Sequence, residues 1–272
     1  MKGAIHTAKS AEIYHNTKVK SYPNGLQKVT VCTKPIFKDK GWEERKKDTE
    51  TGLISKPKDM TNEVRDDSLR RAKTAVFDIS MLNEFTHFVT WTLDPGLINR
   101  YDPKEVSKKL KRFLTNMQQR YCLKYLVVAE HHKDGAIHMH GLISGNMKYI
   151  DSCTRLIPNH KKPVSIQIMK RYGLSENSDG VRIVYNMPQW SLGYSTAIEL
   201  TGDTERIANY ITKYISKDFK KIFGSFYYAG GTGLIRKPSI QLYDINYADV
   251  NAKEYTVEAV EIGFKYFTLN GE

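Results

Sequence analysis

The sequence predicts an α+β fold in which a central antiparallel sheet carries helices packed on one face. Three observations lead there. Strand-like apolar runs occur at Phe85 to Leu93, Lys124 to His132 and Ala136 to Ser144. Helical spacing appears at Lys104 to Tyr121, and again from Asp203 or Thr204 to about residue 222. Only Lys133-Asp134-Gly135 separates the second and third strands, and so short a loop forces antiparallel pairing with Gly135 in the left-handed region.

Taken in order, residues 1–60 are rich in Lys, Thr, Pro and Gly. They hold one strand-like piece, Leu26 to Thr33, followed by a charged run, Glu43 to Glu50. This reads as a basic N-terminal extension. From Thr61 the pattern turns helical, with Val64, Leu69, Ala72, Val76, Ile79 and Leu82 apolar and Arg65, Arg70 and Arg71 beside them. Asp94-Pro95-Gly96 ends the first strand, and Asp102-Pro103 opens a helix apolar at Val106, Leu110, Phe113, Leu114 and Met117. Further strands are expected at Val164 to Met169, Val181 to Tyr185 and Ser191 to Leu200. The domain expectation is an extension (1–60), a central domain (61–222) and a C-terminal segment (223–272) that packs on or extends it.

The balance of 42 Lys and Arg against 30 Asp and Glu, a net charge of +12, favours a polyanionic partner such as nucleic acid. Three cysteines, far apart, suggest neither a disulfide framework nor a Cys-x-x-Cys zinc site. No stretch approaches the ~20 apolar residues of a membrane span, and the first ten residues do not read as a secretory signal. A soluble, cytoplasmic protein is expected.

Two constellations carry chemistry. On a strand His138 and His140 project from one face, and the hairpin register sets Glu130 across from His138. One carboxylate and two imidazoles leave open positions on a divalent ion, Mg2+ or Mn2+, which could polarise a phosphate. The second constellation lies in Arg206 to Phe219, RIANYITKYISKDF. At about 100° per residue, Ala208, Ile211, Ile215, Phe219 and Ile222 form an apolar arc, while Tyr210, Lys213, Tyr214 and Lys217 form a separate stripe. A phenol, with a pKa of about 10, attacks phosphorus only if its phenolate is favoured, and lysines or a bound metal can do that. A Tyr/Lys stripe alone is also what a solvated helix face looks like; its company with the Glu/His/His hairpin favours function. Tyr210 lies further from the apolar arc than Tyr214 and is the expected first nucleophile, with Tyr214 as a second. Arg70, Arg71, Lys108, Lys109, Lys111 and Arg112 are candidate phosphate contacts or solvated helix faces.

Together these segments resemble the HUH endonucleases, specifically the two-tyrosine rolling-circle replication initiators of phages and plasmids. HFVTWTLD, with Phe88, Thr90 and Thr92, looks like the family's first motif, AIHMHGLIS supplies its His-hydrophobe-His motif, and YITKYISK resembles its Tyr-x-x-Lys motif, all in the family's order. The resemblance covers about residues 69–218, with a weaker echo in FYYAGGTGLIRKP. It implies an HUH endonuclease domain at 61–222 with a ferredoxin-like sheet, which nicks single-stranded DNA at a replication origin, forms a 5'-phosphotyrosine link and religates it. It also implies work in a bacterial host cell. Since no Walker GxxxxGK[ST] sequence occurs, a host helicase and polymerase would be the partners. Two alternatives stay open, a related transposase or relaxase and a non-catalytic basic DNA-binding module. Origin and transposon-end DNA separate the first, and a test for a covalent adduct separates the second.

Overall fold

A computed structural model describes residues 15–36, 66–160, 162–215, 221–257 and 262–269. The chain divides into two units, Met1–Thr61 with Pro238–Glu272, and Asn62–Lys237. The larger unit is built on an eight-stranded sheet. Its elements are α1 (Asp66–Leu82), β3 (His87–Leu93), α2 (Pro103–Tyr121), β4 (Lys124–His131), β5 (Ile137–Ser144), β6 (Ile150–Leu156), β7 (Val164–Ser165), α3 (Ile166–Arg171), β8 (Arg182–Asn186), β9 (Gly193–Glu199), α4 (Thr204–Ile215) and β10 (Tyr227–Gly230). The strand order is β10-β4-β5-β3-β9-β8-β6-β7, and each pair is antiparallel.

The α+β class with a large antiparallel sheet is as expected, but the helices divide between its two faces. Val89, Trp91, Val127, Met139 and Ala197 point to one face and share a core with Val106, Leu110, Phe113, Leu114 and Met117 of α2. Leu126, Val128 and Leu142 point the other way, into a core with Leu69, Val76 and Ile79 of α1 and Ile211, Tyr214 and Ile215 of α4. The sequence explains this, because Leu126-Val127-Val128 runs apolar without alternation, as strands covered on both sides do. On the α2 side Trp91 stacks on Trp190 at 5.0 Å between ring centroids and meets the edge of Phe113 at 5.2 Å.

Local chemistry sets the element ends. Asp102 Oδ1 accepts from the Lys104 N–H at 2.9 Å and Pro103 sits in the first turn, so α2 starts where a cap and a pre-set φ coincide. It stops at Cys122, left-handed at φ 53°, whose N–H donates to the Met117 carbonyl. Gly135, at φ 84°, closes the β4–β5 loop, and the paired residues include Glu130 with His138.

The expected strand Val164 to Met169 is mostly helix. Only Val164 and Ser165 pair, after which the Ser165 hydroxyl accepts from the Ile168 N–H at 3.3 Å and caps α3. Helix α4 is described to Ile215, residues 216–220 lie outside the described residues, and Ile222 is not helical. Strands β6 and β10 were not expected. Because β10 pairs with β4, residues up to 237 belong with the sheet, whereas from 238 the chain belongs to the smaller unit.

Strand β6 carries a bulge between Asp151 and Thr154, with Cys153 at φ 58°. Arg155, 2% exposed, locks it. Its two terminal nitrogens grip the Asp151 carboxylate at 2.8 and 2.9 Å, and its Nε donates to Glu176 at 3.1 Å. Hydrogen bonds from Arg155 and from the Cys153 N–H hold the Asp151 carboxyl below its usual range. A depressed carboxylate stabilises the fold above its unfolded pKa of about 3.9, and that contribution disappears as pH falls through the folded value. Arg155→Met should therefore lower Tm by about 2–4 °C near neutrality, with the gap to the parent narrowing below about pH 4. Thermal melts across pH check this; a gap unchanged down to about pH 2 would contradict it.

The smaller unit contains β1 (His15–Ser21), β2 (Gln27–Ile36), β11 (Ser239–Tyr243), β12 (Lys253–Val257) and β13 (Ile262–Leu269). They form a five-stranded sheet ordered β11-β1-β2-β13-β12, so segments from both ends of the sequence share one sheet. Val19, Val29 and Val31 form its core with Ile245, Tyr247, Val250 and Phe267. The charged run Glu43 to Glu50 lies outside the described residues.

Candidate active site

The strand period places Thr90, Thr92, Glu130, His138 and His140 on the sheet face that α1 and α4 cover in part. Cross-strand rows run Glu130, His138, Thr92 and Val128, His140, Thr90. Although Glu130 is registered opposite His138, its carboxylate reaches diagonally to His140, with Oε1 at 2.8 Å from Nε2. Both side chains are buried, which strengthens the contact by excluding water. On the other edge of the same ring, Nδ1 lies 3.1 Å from the Thr90 hydroxyl. A hydroxyl can donate or accept, so Thr90 orients the imidazole in either tautomer.

Helix α4 brings the phenols to this pair. The Tyr214 ring stacks on His140 at 3.9 Å between centroids and 22° between planes. Its hydroxyl donates to the Tyr210 hydroxyl at 2.7 Å. Phe88 wedges beneath, with its ring 5.9 Å from His140, 5.3 Å from Tyr210 and 6.2 Å from Tyr214. The carboxylate, imidazole and two phenols thus form one continuous chain of contacts from β4 through β5 to α4. The phenols differ sharply in access: Tyr214 is 9% exposed and Tyr210 47%. Burial first, then the hydrogen bond to Tyr210, pushes the Tyr214 phenol far above its ordinary value.

His138 belongs to the same face but is turned elsewhere. Its ring stacks on His132 at 4.9 Å, and His132 Nδ1 lies 3.3 Å from Asp134 in the turn. Burial, helped by the neighbouring His132 and His140, lowers the His138 pKa. Among the described residues no group of three or more His, Cys, Asp or Glu side chains is placed to hold a metal ion. As a donor pair Glu130 and His140 do fit one: two neighbouring ligands of an ion with bonds of about 2.1 Å stand roughly 3 Å apart, close to the 2.8 Å observed. The third donor, His138, is not assembled with them.

The remaining candidates are scattered. Lys213 is exposed on α4, while Lys217 and Arg65 lie outside the described residues. Arg70, which pairs with Asp67, and Arg71 line a cleft of about 660 Å³ with Arg236 and Lys237. Lys108, Lys109, Lys111 and Arg112 are exposed on α2, which covers the opposite sheet face from His140. The sequence reading assigned no partner to Thr90 or Phe88, although strand alternation alone puts both on the histidine face.

Residues 86–219, just under half of the chain, match the family model of the replication-associated protein ORF2/gene-2 protein. That span contains every residue of the carboxylate, imidazole and phenol cluster. The match is consistent with a rolling-circle replication initiator and supports a replication-associated protein that interacts with DNA. No curated protein and no solved structure matches the chain. Among the described residues no helix is long and apolar enough to cross a membrane.

Proposed function

We propose that the protein is a rolling-circle replication initiator, an endonuclease that cuts single-stranded DNA at an origin with the Tyr210 phenol. The new bond joins the phenol oxygen to phosphorus, the bond to the 3' oxygen breaks, and that oxygen departs with a proton. A later 3'-hydroxyl attacks the 5'-phosphotyrosine, restores the phosphodiester and frees the phenol, so religation needs no other energy source. What supports the reading most is the contact chain from Glu130 through His140 and Tyr214 to the exposed Tyr210.

In this reading Tyr214 holds the Tyr210 oxygen and is the second nucleophile once the first is esterified. Glu130 and His140, joined by His138 after it leaves His132, hold Mg2+ or Mn2+. When bound, the ion polarises the scissile phosphate. Lys213 and Lys217 hold the DNA backbone and favour the phenolate. Unwinding and synthesis fall to a host helicase and polymerase in a bacterial cytoplasm.

The direct test is incubation of the full chain with single-stranded origin DNA and Mn2+, then denaturing electrophoresis. A denaturation-resistant adduct is expected, with the nucleotide on the peptide that contains Tyr210. EDTA should abolish it and added Mn2+ restore it. Absence of any adduct across candidate origin strands would reduce the protein to a DNA-binding module, and undiminished cleavage in EDTA would remove the metal.

A further inference from the structure

Outside the contact chain, one large aromatic residue stands open on the same sheet face. Tyr194, near the start of β9, is 69% exposed, more than any other large hydrophobic residue recorded in the described chain. Register fixes where it points. Thr92 of β3 pairs with His138 on one side and with Tyr194 on the other, so one row runs Glu130, His138, Thr92, Tyr194. With strands about 4.8 Å apart, the Tyr194 and His138 backbones lie two spacings apart, about 10 Å.

The backbone beneath Tyr194 is held from both sides. Gly193, at φ 148°, packs so closely that a Cβ there would meet the Thr92 carbonyl oxygen at 2.3 Å and the Asp94 nitrogen at 2.5 Å. On the far side the buried Ser195 hydroxyl accepts from the Met187 N–H at 2.8 Å. A wide phenol ring on so constrained a strand, with its face in water, offers a pre-positioned stacking surface. Neighbours Thr92 and Thr196 are half-buried and uncharged, and therefore neither cover the ring nor repel a polyanion.

We propose that Tyr194 is a base-stacking platform for the single strand, gripping a nucleobase next to the phosphate presented to Tyr210. This rests on the nicking reading for its ligand and adds the residue that positions the strand. Because every base has a π-face, the contact tolerates sequence; because it is not ionic, its share of affinity survives added salt, unlike the lysine and arginine contacts.

The test compares two probes on the full chain carrying Tyr210→Phe, an oligothymidylate of about 16 nucleotides and an abasic deoxyribose-phosphate strand of equal length. Tyr194→Ala should weaken oligothymidylate binding by about tenfold, with the same factor at low and raised salt. Tyr194→Phe and Tyr194→Trp should restore it, and the abasic strand should show no penalty in any of them. Tyr172→Ala, at another exposed tyrosine, should leave both affinities unchanged. An equal penalty on both strands, failure of Phe and Trp to rescue, or no penalty at all overturns the assignment. Such a failure stays distinct from failure of the nicking reading, which shows as no covalent adduct in the parent protein.

Discussion

Tyr210→Phe should abolish the covalent DNA adduct, a loss of about a thousandfold or more in its rate of formation, while single-stranded DNA binding stays within about twofold. Tyr214→Phe should cost far less in the first cleavage, roughly tenfold. The two phenols are four residues apart and touch, so the contrast must come from their surroundings. Tyr210 is half exposed and receives a hydrogen bond; Tyr214 is nearly enclosed between His140, Phe88 and the helix. A hydrogen bond to the phenolate contributes about 1.5–3 kcal/mol, and its loss in Tyr214→Phe accounts for about the rate change stated. Rapid-quench assays of adduct formation measure both variants. If Tyr214→Phe loses the adduct while Tyr210→Phe keeps it, the order of the nucleophiles is reversed and α4 must rotate before attack.

How far this site was legible depends on which residues are local to one another. The β4–β5 hairpin could be read because a three-residue loop with Gly135 fixes the register, and the register alone sets Glu130 across from His138. Register does not fix side-chain direction, so the carboxylate's diagonal reach to His140 and the turn of His138 toward His132 had to come from coordinates. The helical arc separated Tyr214 from Tyr210 in the right sense, since Tyr214 borders the apolar stripe and is the buried one.

Elsewhere competing local signals misled. Val164 to Met169 has the β-branched look of a strand, yet the Ser165 cap turns it into α3. In β6 the bulge at Cys153 breaks the alternation that would have announced a strand, and Arg155, which holds it, reads in sequence as an ordinary surface charge. The pairing of β1 with β11 joins residues more than 200 positions apart, and no periodicity within either segment records that. Helices on both faces could have been inferred from Leu126-Val127-Val128, whose unbroken apolar run already required cover above and below.

Glu130→Gln should lower Mn2+-dependent adduct formation by at least about a hundredfold while leaving single-stranded DNA affinity and Tm nearly unchanged. The amide keeps the size of the carboxylate and can still hydrogen-bond His140, so the stack of Tyr214 on that ring survives; what disappears is the anionic oxygen. Thr90→Val removes only the hydroxyl that orients His140 Nδ1, and the expected loss is smaller, about 10–100-fold. The order of the two effects separates a metal role from a structural one. If Glu130 served only to hold His140 in place, the Gln variant, which preserves that hydrogen bond, would stay close to the parent. Manganese titrations of both variants decide the matter: a ligand role requires Glu130→Gln to raise the half-saturating Mn2+ concentration, and an unchanged titration midpoint with full activity would take the ion away from this carboxylate.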